Sequence, residues 1–118
     1  MSLVEQIGKR YMAVPDTSVP EEIIIQRTTV GKTAYTIKKN GYIRGYTSKN
    51  TSGWSSAIIL VDGRSIWRGI VGGTGSANFC YMAWIPVEKG AVIELDVATN
   101  APQDASVIFI PAKLAPMG

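Results

Sequence analysis

Beyond Pro20 the chain consists of short runs rich in β-branched and aromatic residues, separated by turns that carry Gly, Asn, Asp or Pro. None of these runs is long and periodic enough to predict a helix. Seven or eight of them recur at roughly ten-residue spacing, which is typical of an antiparallel β-sandwich or barrel. In chain order they are EIIIQRTTV, TAYTI, YIRGYTS, AIILV, RSIWRGIV, NFCYMAWIP, AVIELDVAT and SVIFIP. The sequence therefore predicts an all-β fold.

The N-terminal segment has a different pattern. Val4, Ile7 and Tyr11 fall at helical spacing, which predicts a short amphipathic helix over residues 3–11. Pro15 and Pro20 then bracket AVPDTSVP, which is typical of an extended linker or stem. We therefore expect a helix, stem and linker in residues 1–21 and a sandwich domain in residues 22–118.

The run VIELDV has the alternation of a half-solvated strand. Ile93, Leu95 and Val97 fall on one face and Glu94 and Asp96 on the other. We expect the apolar face to point into the sandwich.

Asp62-Gly63 is the clearest hairpin turn in the chain. A two-residue loop would pair Val61 with Arg64 and Leu60 with Ser65, then Ile59 with Ile66 and Ile58 with Trp67. Both faces of the hairpin would then carry large apolar groups, although a single sandwich has one interior. The apolar side chains on the second face would be buried in a subunit interface, or they would be a few exposed residues of an edge hairpin.

Asn40-Gly41 is a second turn signal, with two geometries open. A tight hairpin would put Tyr42, Arg44 and Tyr46 on a face with core-type residues, where Arg44 would need a buried partner or an interface. A wider arch between two sheets would turn Ile43 inward and the Tyr-Arg-Tyr row outward. Only the arch makes that row a recognition surface of a single subunit.

Charge and composition restrict the partners. Twelve Lys and Arg against nine Asp and Glu give +3, and the basic residues are scattered from Lys9 to Lys113 rather than clustered. We therefore expect no nucleic-acid partner. No apolar run approaches the ~20 residues of a membrane helix, so no membrane insertion is expected. Cys80 is the single cysteine, which excludes an intrachain disulfide.

The chain has no histidine, and this removes the usual nucleophile–base pairs and the commonest transition-metal ligand. Gly31-Lys32-Thr33 resembles the end of a phosphate-binding loop, but Gln26 stands where that motif needs glycine. We expect no cofactor and no metal site.

Glu94 and Asp96 share a strand face at a separation of roughly 7 Å, which is of the order found in glycosidase pairs. Catalysis also needs a cleft and a raised pKa, and we expect no apolar residue to share that outer face. Glu21 and Glu22 would point to opposite sides of an extended chain. We therefore assign no catalytic residue and predict a protein that is not an enzyme.

The residues suited to binding are aromatic, guanidinium and amide side chains, which stack on sugars and donate hydrogen bonds. The same residue types also fill sandwich cores and subunit interfaces, so both roles remain open. The candidate ligand-binding residues are Tyr42, Arg44, Tyr46, Asn50 and Trp54, with Trp67 and Arg68 as neighbours across the sheet.

The segments FCYMAWIPVEKGAVIEL and SVIFIPAK carry a family resemblance, together with NGYIRGY and AIILVDG upstream. They resemble the carboxy-terminal head domains of phage and prophage tail fibres and receptor-binding proteins. In those domains a strand enters a phrase such as P-V-x-K-G-D and the last strand ends near F-I-P. The resemblance covers roughly Ala34 to Lys113. Ala91 stands where the family phrase often has an acidic residue, so no acidic-ligand role is carried over.

The resemblance implies a jelly-roll or C1q-like sandwich that assembles as a homotrimer at the tip of a tail fibre on the virion, after expression in the bacterial cytoplasm. It implies host attachment, often through a surface saccharide, and transfers no fixed ligand motif. A trimer would suit the two-faced hairpin and would give the N-terminal helix partners in a stem. Two alternatives are a purely structural trimerisation or capping module of a phage tail and a bacterial carbohydrate-binding module.

Overall fold

The computed structural model describes residues 11–49, 53–73, 78–97 and 104–116, which form ten β-strands and no helix. The all-β sandwich predicted from the sequence is confirmed. The strands are β1 Tyr11–Pro15, β2 Glu22–Arg27, β3 Gly31–Thr36, β4 Gly41–Lys49, β5 Gly53–Val61, β6 Arg64–Gly73, β7 Asn78–Tyr81, β8 Ile85–Val87, β9 Val92–Val97 and β10 Asp104–Pro116.

The described strands outnumber the eight predicted runs for two reasons. The run NFCYMAWIP divides into β7 and β8, which both pair with β4. The other additional strand, β1, comes from the segment predicted as helix and linker. The predicted helix over residues 3–10 lies outside the described residues, and Tyr11, its last predicted residue, lies in β1 instead.

The strands form two antiparallel sheets with the order of a jelly roll. In the first sheet β10 lies between β2 and β4, and β7 and β8 follow on the far side of β4. The second sheet has the order β3-β9-β5-β6. Apart from the β5–β6 hairpin, the chain changes sheet at each step from β2 to β7 and again before β9 and before β10. This crossing layout closes one interior between the sheets.

The core lies between the sheets and follows the two-residue period of the strands. VIELDV behaves as predicted, because Ile93 and Leu95 are fully buried while Glu94 and Asp96 face outward. Burying each such aliphatic side chain contributes roughly 1.5–3 kcal/mol. Among the described residues, the buried apolar side chains that form this core are Ile25, Ile37, Ile43, Ala57, Ile59, Met82, Val87, Ile93, Leu95, Val97, Ala105, Val107 and Phe109.

The outer face of β9 is less polar than the strand alone predicts. Leu60 lies directly opposite Glu94, and Ile58 lies opposite Asp96, across the β5–β9 pair. The expectation that no apolar residue shares this face is therefore wrong for the sheet, because the neighbouring strand supplies them.

The Asp62-Gly63 hairpin forms with positive φ at both turn residues, 52° and 80°, as a type I′ turn requires. Its first two residue pairs are those predicted, but a register shift between Ile59 and Leu60 then sets Ile59 opposite Trp67. The predicted pairs of Ile59 with Ile66 and of Ile58 with Trp67 are wrong by one residue, because β6 contains a β-bulge.

The β-bulge directs Trp67 into the sandwich, and glycines on both sheets leave room for it. A Cβ at Gly45 of β4 would collide with Ile59 and lie 3.0 Å from the Trp67 ring. A Cβ at Gly69 would collide with the indole itself and lie 3.0 Å from Thr47. Trp67 therefore spans the interior between β6 and β4, where an indole packs closely only against residues without side chains.

The connection from β3 to β4 is an arch between the sheets, since β3 pairs with β9 and β4 pairs with β10. Of the two geometries that the sequence left open, the tight Asn40-Gly41 hairpin is wrong and the arch is confirmed. Ile43 points into the core and is 0% exposed, whereas Tyr42 and Arg44 face outward.

The segment predicted as a linker packs against the end of β10. Met12 pairs with Ala115 and Val14 with Lys113, so Tyr11–Pro15 is a strand rather than part of a free stem. Pro15 is tolerated because it ends the strand, where the ladder needs no further donor.

Asp16, in the turn after β1, gives the fold a pH-dependent contribution. Ser18 donates to Asp16 Oδ1 from its hydroxyl at 2.5 Å and from its backbone N–H at 3.1 Å. These two hydrogen bonds, with the charges of Lys113 and Lys39, lower the pKa of Asp16 below its ordinary 3.8, although partial desolvation opposes them. A depressed pKa stabilises the fold above the unfolded pKa, and this stabilisation is lost as the pH falls through the folded pKa.

We expect Asp16→Asn to lower the melting temperature at about pH 7 and to converge with the parent chain as the pH falls towards 2. The reason is that asparagine keeps the turn-forming amide oxygen but not the charge. Thermal unfolding followed by circular dichroism across this range measures the difference. A difference that is the same at every pH would contradict an electrostatic origin.

Candidate functional site

Tyr42, Arg44 and Tyr46 lie at alternate positions on the outer face of the first sheet, and all three are half-buried. In the β4–β10 register they stand opposite Ile110, Ile108 and Ser106. The arch places them there, because Gly41, Ile43 and Gly45 take the inward positions of the same strand. We call these three side chains the Tyr-Arg-Tyr row.

Tyr42 reaches across β10 to β1. Its hydroxyl donates to the carbonyl oxygen of Ala13 at 2.8 Å. Ile110, the cross-strand neighbour of Tyr42, is 2% exposed although it faces away from the core. Tyr42 therefore links β4 to β1 across β10, and its hydroxyl hydrogen is used in a hydrogen bond within the chain.

Arg44 sits between an acidic and an aromatic side chain. Its Nη2 lies 3.2 Å from Oε2 and 3.4 Å from Oε1 of Glu21, which precedes β2. Its guanidinium carbon is 4.9 Å from the ring centroid of Trp84, within cation–π range. Both partners of the ion pair are substantially exposed, so the pair itself adds at most about 1 kcal/mol of stability.

Glu21 and Trp84 were not predicted as members of this surface. The sequence predicted that Glu21 and Glu22 point to opposite sides of the chain, and they do. Glu21 contacts Arg44 on the outer face, whereas Glu22 lies opposite Phe109. Trp84 lies between β7 and β8 and is placed beside Arg44 only by the pairing of those strands with β4.

The remaining predicted binding residues do not join the row. Trp67 and Arg68 belong to β6 of the second sheet, so the expectation that they neighbour the row across one sheet is wrong. Trp67 points into the core, and Arg68 is exposed on the opposite side of the sandwich. Asn50 lies outside the described residues. The backbone of Trp54 pairs with Gly72 in the second sheet, and its side chain is not among those described.

An open depression of about 410 Å³ lies at the Tyr42 end of the row. The arch and the β1–β10 pair form its walls, and Asn40 fixes one side by accepting the backbone N–H of Lys89 at 2.8 Å. The lining is mixed, with an aromatic ring beside amide and carboxylate groups. Its residues are Ala13, Asn40, Gly41, Tyr42, Pro86, Val87, Glu88 and Ala112.

The outer face of the second sheet is a different surface. It carries apolar side chains with no covering segment from the described chain: Ile66 is 38% exposed and Ile70 is 59% exposed. Ile58 and Leu60, on the adjacent strand, are half-buried and lie between these isoleucines and β9. We call these four side chains the isoleucine face. Beside it, Lys32 Nζ and Glu94 Oε2 form an ion pair at 3.4 Å.

The described residues contain no group of three or more His, Cys, Asp or Glu side chains placed to hold a metal ion. Glu94, one of the two carboxylates considered for catalysis, forms an ion pair with Lys32. Nowhere in the described part of the chain is there a helix long and apolar enough to span a membrane.

Comparisons with known proteins bear on the fold alone. No protein-family model matches the chain, and no curated protein matches it. Among solved structures, a β-glucosidase from Paenibacillus barengoltzii aligns with a TM-score of 0.52 at 14% identity. The alignment covers 77% of this chain and 10% of that one, so this chain is similar to about a tenth of a much longer protein. At this identity the similarity indicates a shared sandwich fold.

Proposed function

We propose that this chain is a homotrimeric, non-enzymatic head domain of a phage tail fibre or a related virion component, which attaches to saccharide on a host surface. The observation that carries the proposal is the isoleucine face. Large apolar side chains exposed together on the face of a sheet are typical of an interface. A trimer covers three such faces about one axis.

The positions that carry the family resemblance support the same proposal. NGYIRGY forms the end of the arch and the first part of β4, and AIILVDG forms the second half of β5 and its turn. PVEKGAVIEL runs from β8 through a turn at Gly90, with φ of 95°, into β9. The quoted phrases therefore occupy neighbouring strands and tight turns of one jelly roll, the fold that the resemblance implies.

Attachment is proposed for the first sheet and its ends, which the isoleucine face leaves free. The depression beside Tyr42 and the half-buried ring of Tyr46 present aromatic surface to solvent. Aromatic rings stack on the C–H faces of sugars, and neighbouring amides and carboxylates bind hydroxyl groups.

A purely structural trimerisation or capping module is the second candidate, and one observation favours it. Tyr42 and Arg44 direct their polar groups to Ala13 and Glu21 of the same chain. These contacts fasten β1 and the start of β2 to the first sheet, which is the role of a structural residue.

Light scattering tests the assembly. We expect a molar mass three times the 12.7 kDa of one chain, unchanged on dilution through the micromolar range. A stable monomer under dilute conditions would contradict the proposal.

A glycan array distinguishes attachment from a structural role. We expect binding to a subset of bacterial surface saccharides, weakened by Tyr46→Ala, which removes an aromatic ring from the outer face of the first sheet. A trimer that binds no saccharide on the array would favour the structural module.

A further inference from the structure

A second cleft lies on the open side of the sandwich, where the edge strands β2 and β3 of the two sheets face each other. It has a volume of about 110 Å³ and is separate from both the Tyr-Arg-Tyr row and the isoleucine face. Six residues line it: Glu22, Tyr35, Ile37, Lys38, Lys39 and Phe109.

Hydrogen bonds of Arg27 join the two edge strands at one end. Arg27, at the end of β2, donates to Thr33 Oγ1 at 2.7 Å and to the carbonyl oxygen of Val30 at 2.9 Å. These bonds close the gap between β2 and β3 beside their connecting loop. At the opposite end of the strands, Glu22 and Tyr35 border an opening into the interior.

The interior of the cleft is apolar and its mouth is charged. Ile37 is 2% exposed and Phe109 is 5% exposed, so they form the apolar floor of the cleft, with the half-buried ring of Tyr35 beside them. The Lys38 ammonium lies 5.8 Å from the centroid of the Tyr35 ring, and the exposed Lys39 follows it. With two lysines and Glu22, the lining carries a net positive charge.

The two lysines lie in the segment between β3 and β4, and backbone hydrogen bonds fix the residue on each side of them. Ile37 donates its N–H to the carbonyl oxygen of Ala91 at 2.8 Å and accepts the N–H of Gly90 at 2.8 Å. The carbonyl oxygen of Asn40 accepts the N–H of Ala112 at 3.2 Å. The backbone on either side of Lys38-Lys39 is therefore fixed to both sheets, and such preorganisation reduces the entropy lost on binding.

We propose that this cleft binds a carboxylated sugar residue, such as a uronic acid, of a host-surface polysaccharide. The C–H face of the sugar packs on the half-buried ring of Tyr35, above the floor that Ile37 and Phe109 form, its carboxylate meets the ammonium groups of Lys38 and Lys39, and Glu22 accepts a hydroxyl hydrogen. A neutral sugar lacks the group that the lysines bind. This inference rests on the proposed attachment function and names the saccharide class.

Isothermal titration calorimetry with sodium glucuronate, glucose and inorganic phosphate tests the inference on the full chain. We expect saturable binding of glucuronate and much weaker binding of glucose. Lys38→Gln and Lys39→Gln are each expected to weaken glucuronate binding about tenfold or more, since a charge-assisted hydrogen bond is lost. Lys89→Gln, which removes the same charge from an exposed turn outside the cleft, is expected to bind glucuronate as the parent does.

Three results would overturn the inference: no saturable binding of glucuronate, unchanged affinity in both cleft variants, or phosphate binding as tight as glucuronate. The lysines are exposed, so the variants are expected to keep the parent circular dichroism spectrum. A trimer that attaches to host cells without binding glucuronate would refute this site alone, whereas a monomer that attaches to no host would refute the proposed function.

Discussion

Replacing Gly41 with alanine is expected to cost about 3 kcal/mol or more of folding free energy, the upper end of overpacking effects. A Cβ at this position would collide with the carbonyl oxygen of Ile110 and lie 2.5 Å from the ring of Phe109. The carbonyl belongs to the central strand of the first sheet, so it cannot move aside without breaking the β4–β10 ladder. For a domain with 5–15 kcal/mol of total stability, this loss is a large fraction.

Gly90→Ala is the matched control. Gly90 has φ of 95°, and nothing lies within 4 Å of the position its Cβ would take. Its substitution therefore introduces backbone strain without a collision, at a cost of about 1–2 kcal/mol. Urea unfolding followed by tryptophan fluorescence compares the two variants with the parent chain. Equal unfolding midpoints for both variants would show that close packing at Gly41 contributes nothing.

The two turn dipeptides show what local sequence predicts and what it does not. Asp62-Gly63 has the positive φ values of a two-residue hairpin, and its strands are adjacent. Asn40-Gly41 has the same chemistry, yet Gly41 is not among the described glycines with positive φ. It is required because Ile110 and Phe109 approach it closely. That requirement comes from a strand almost seventy residues further along the chain, which a local pattern does not contain.

The fold class followed from local pattern because strand period and turn chemistry are short-range properties. The inward face of VIELDV, for example, needs only alternation. The position of Trp67 could not be predicted from local pattern. One additional residue at the bulge in β6 shifts the pairing, so Trp67 lies opposite Ile59 instead of Ile58 and its ring faces the core. The strand β1 was missed because Pro15, at its end, and Pro20 beyond it argue for a linker, and only pairing with the end of β10 makes it regular.

The candidate sites depend still more on long-range contacts. The outward orientation of the Tyr-Arg-Tyr row was one of two geometries open from the sequence, and the sheet assignment of β3 decided it. The lysines of the cleft were part of the same segment, Lys38 to Trp54, that supplied the aromatic cluster. Their relation to Phe109 and Tyr35 follows from two strands in different sheets, so no spacing in the sequence could reveal it.

Ile70→Glu is expected to convert the proposed trimer into a monomer of 12.7 kDa. Ile70 is 59% exposed in the single chain, so the substitution removes little intrachain packing and the fold is expected to persist. In an assembly that covers the isoleucine face, the same carboxylate would be removed from water, at a cost of several kilocalories per mole in each subunit. Light scattering measures the mass, and circular dichroism measures whether the sandwich is intact.

Ile23→Glu tests whether the effect belongs to this face or to surface hydrophobicity in general. Ile23 is 57% exposed and lies on the outer face of the first sheet, opposite Ile108, so the two substitutions are matched in residue type and exposure. If the second sheet forms the interface, Ile23→Glu remains trimeric and Ile70→Glu does not. The reverse pattern would place the interface on the first sheet and cover the Tyr-Arg-Tyr row, which would then join subunits instead of facing a host. Retention of the parent mass by both variants would refute an interface on either face, because desolvating a carboxylate in three copies is too costly for an assembly of this size to tolerate.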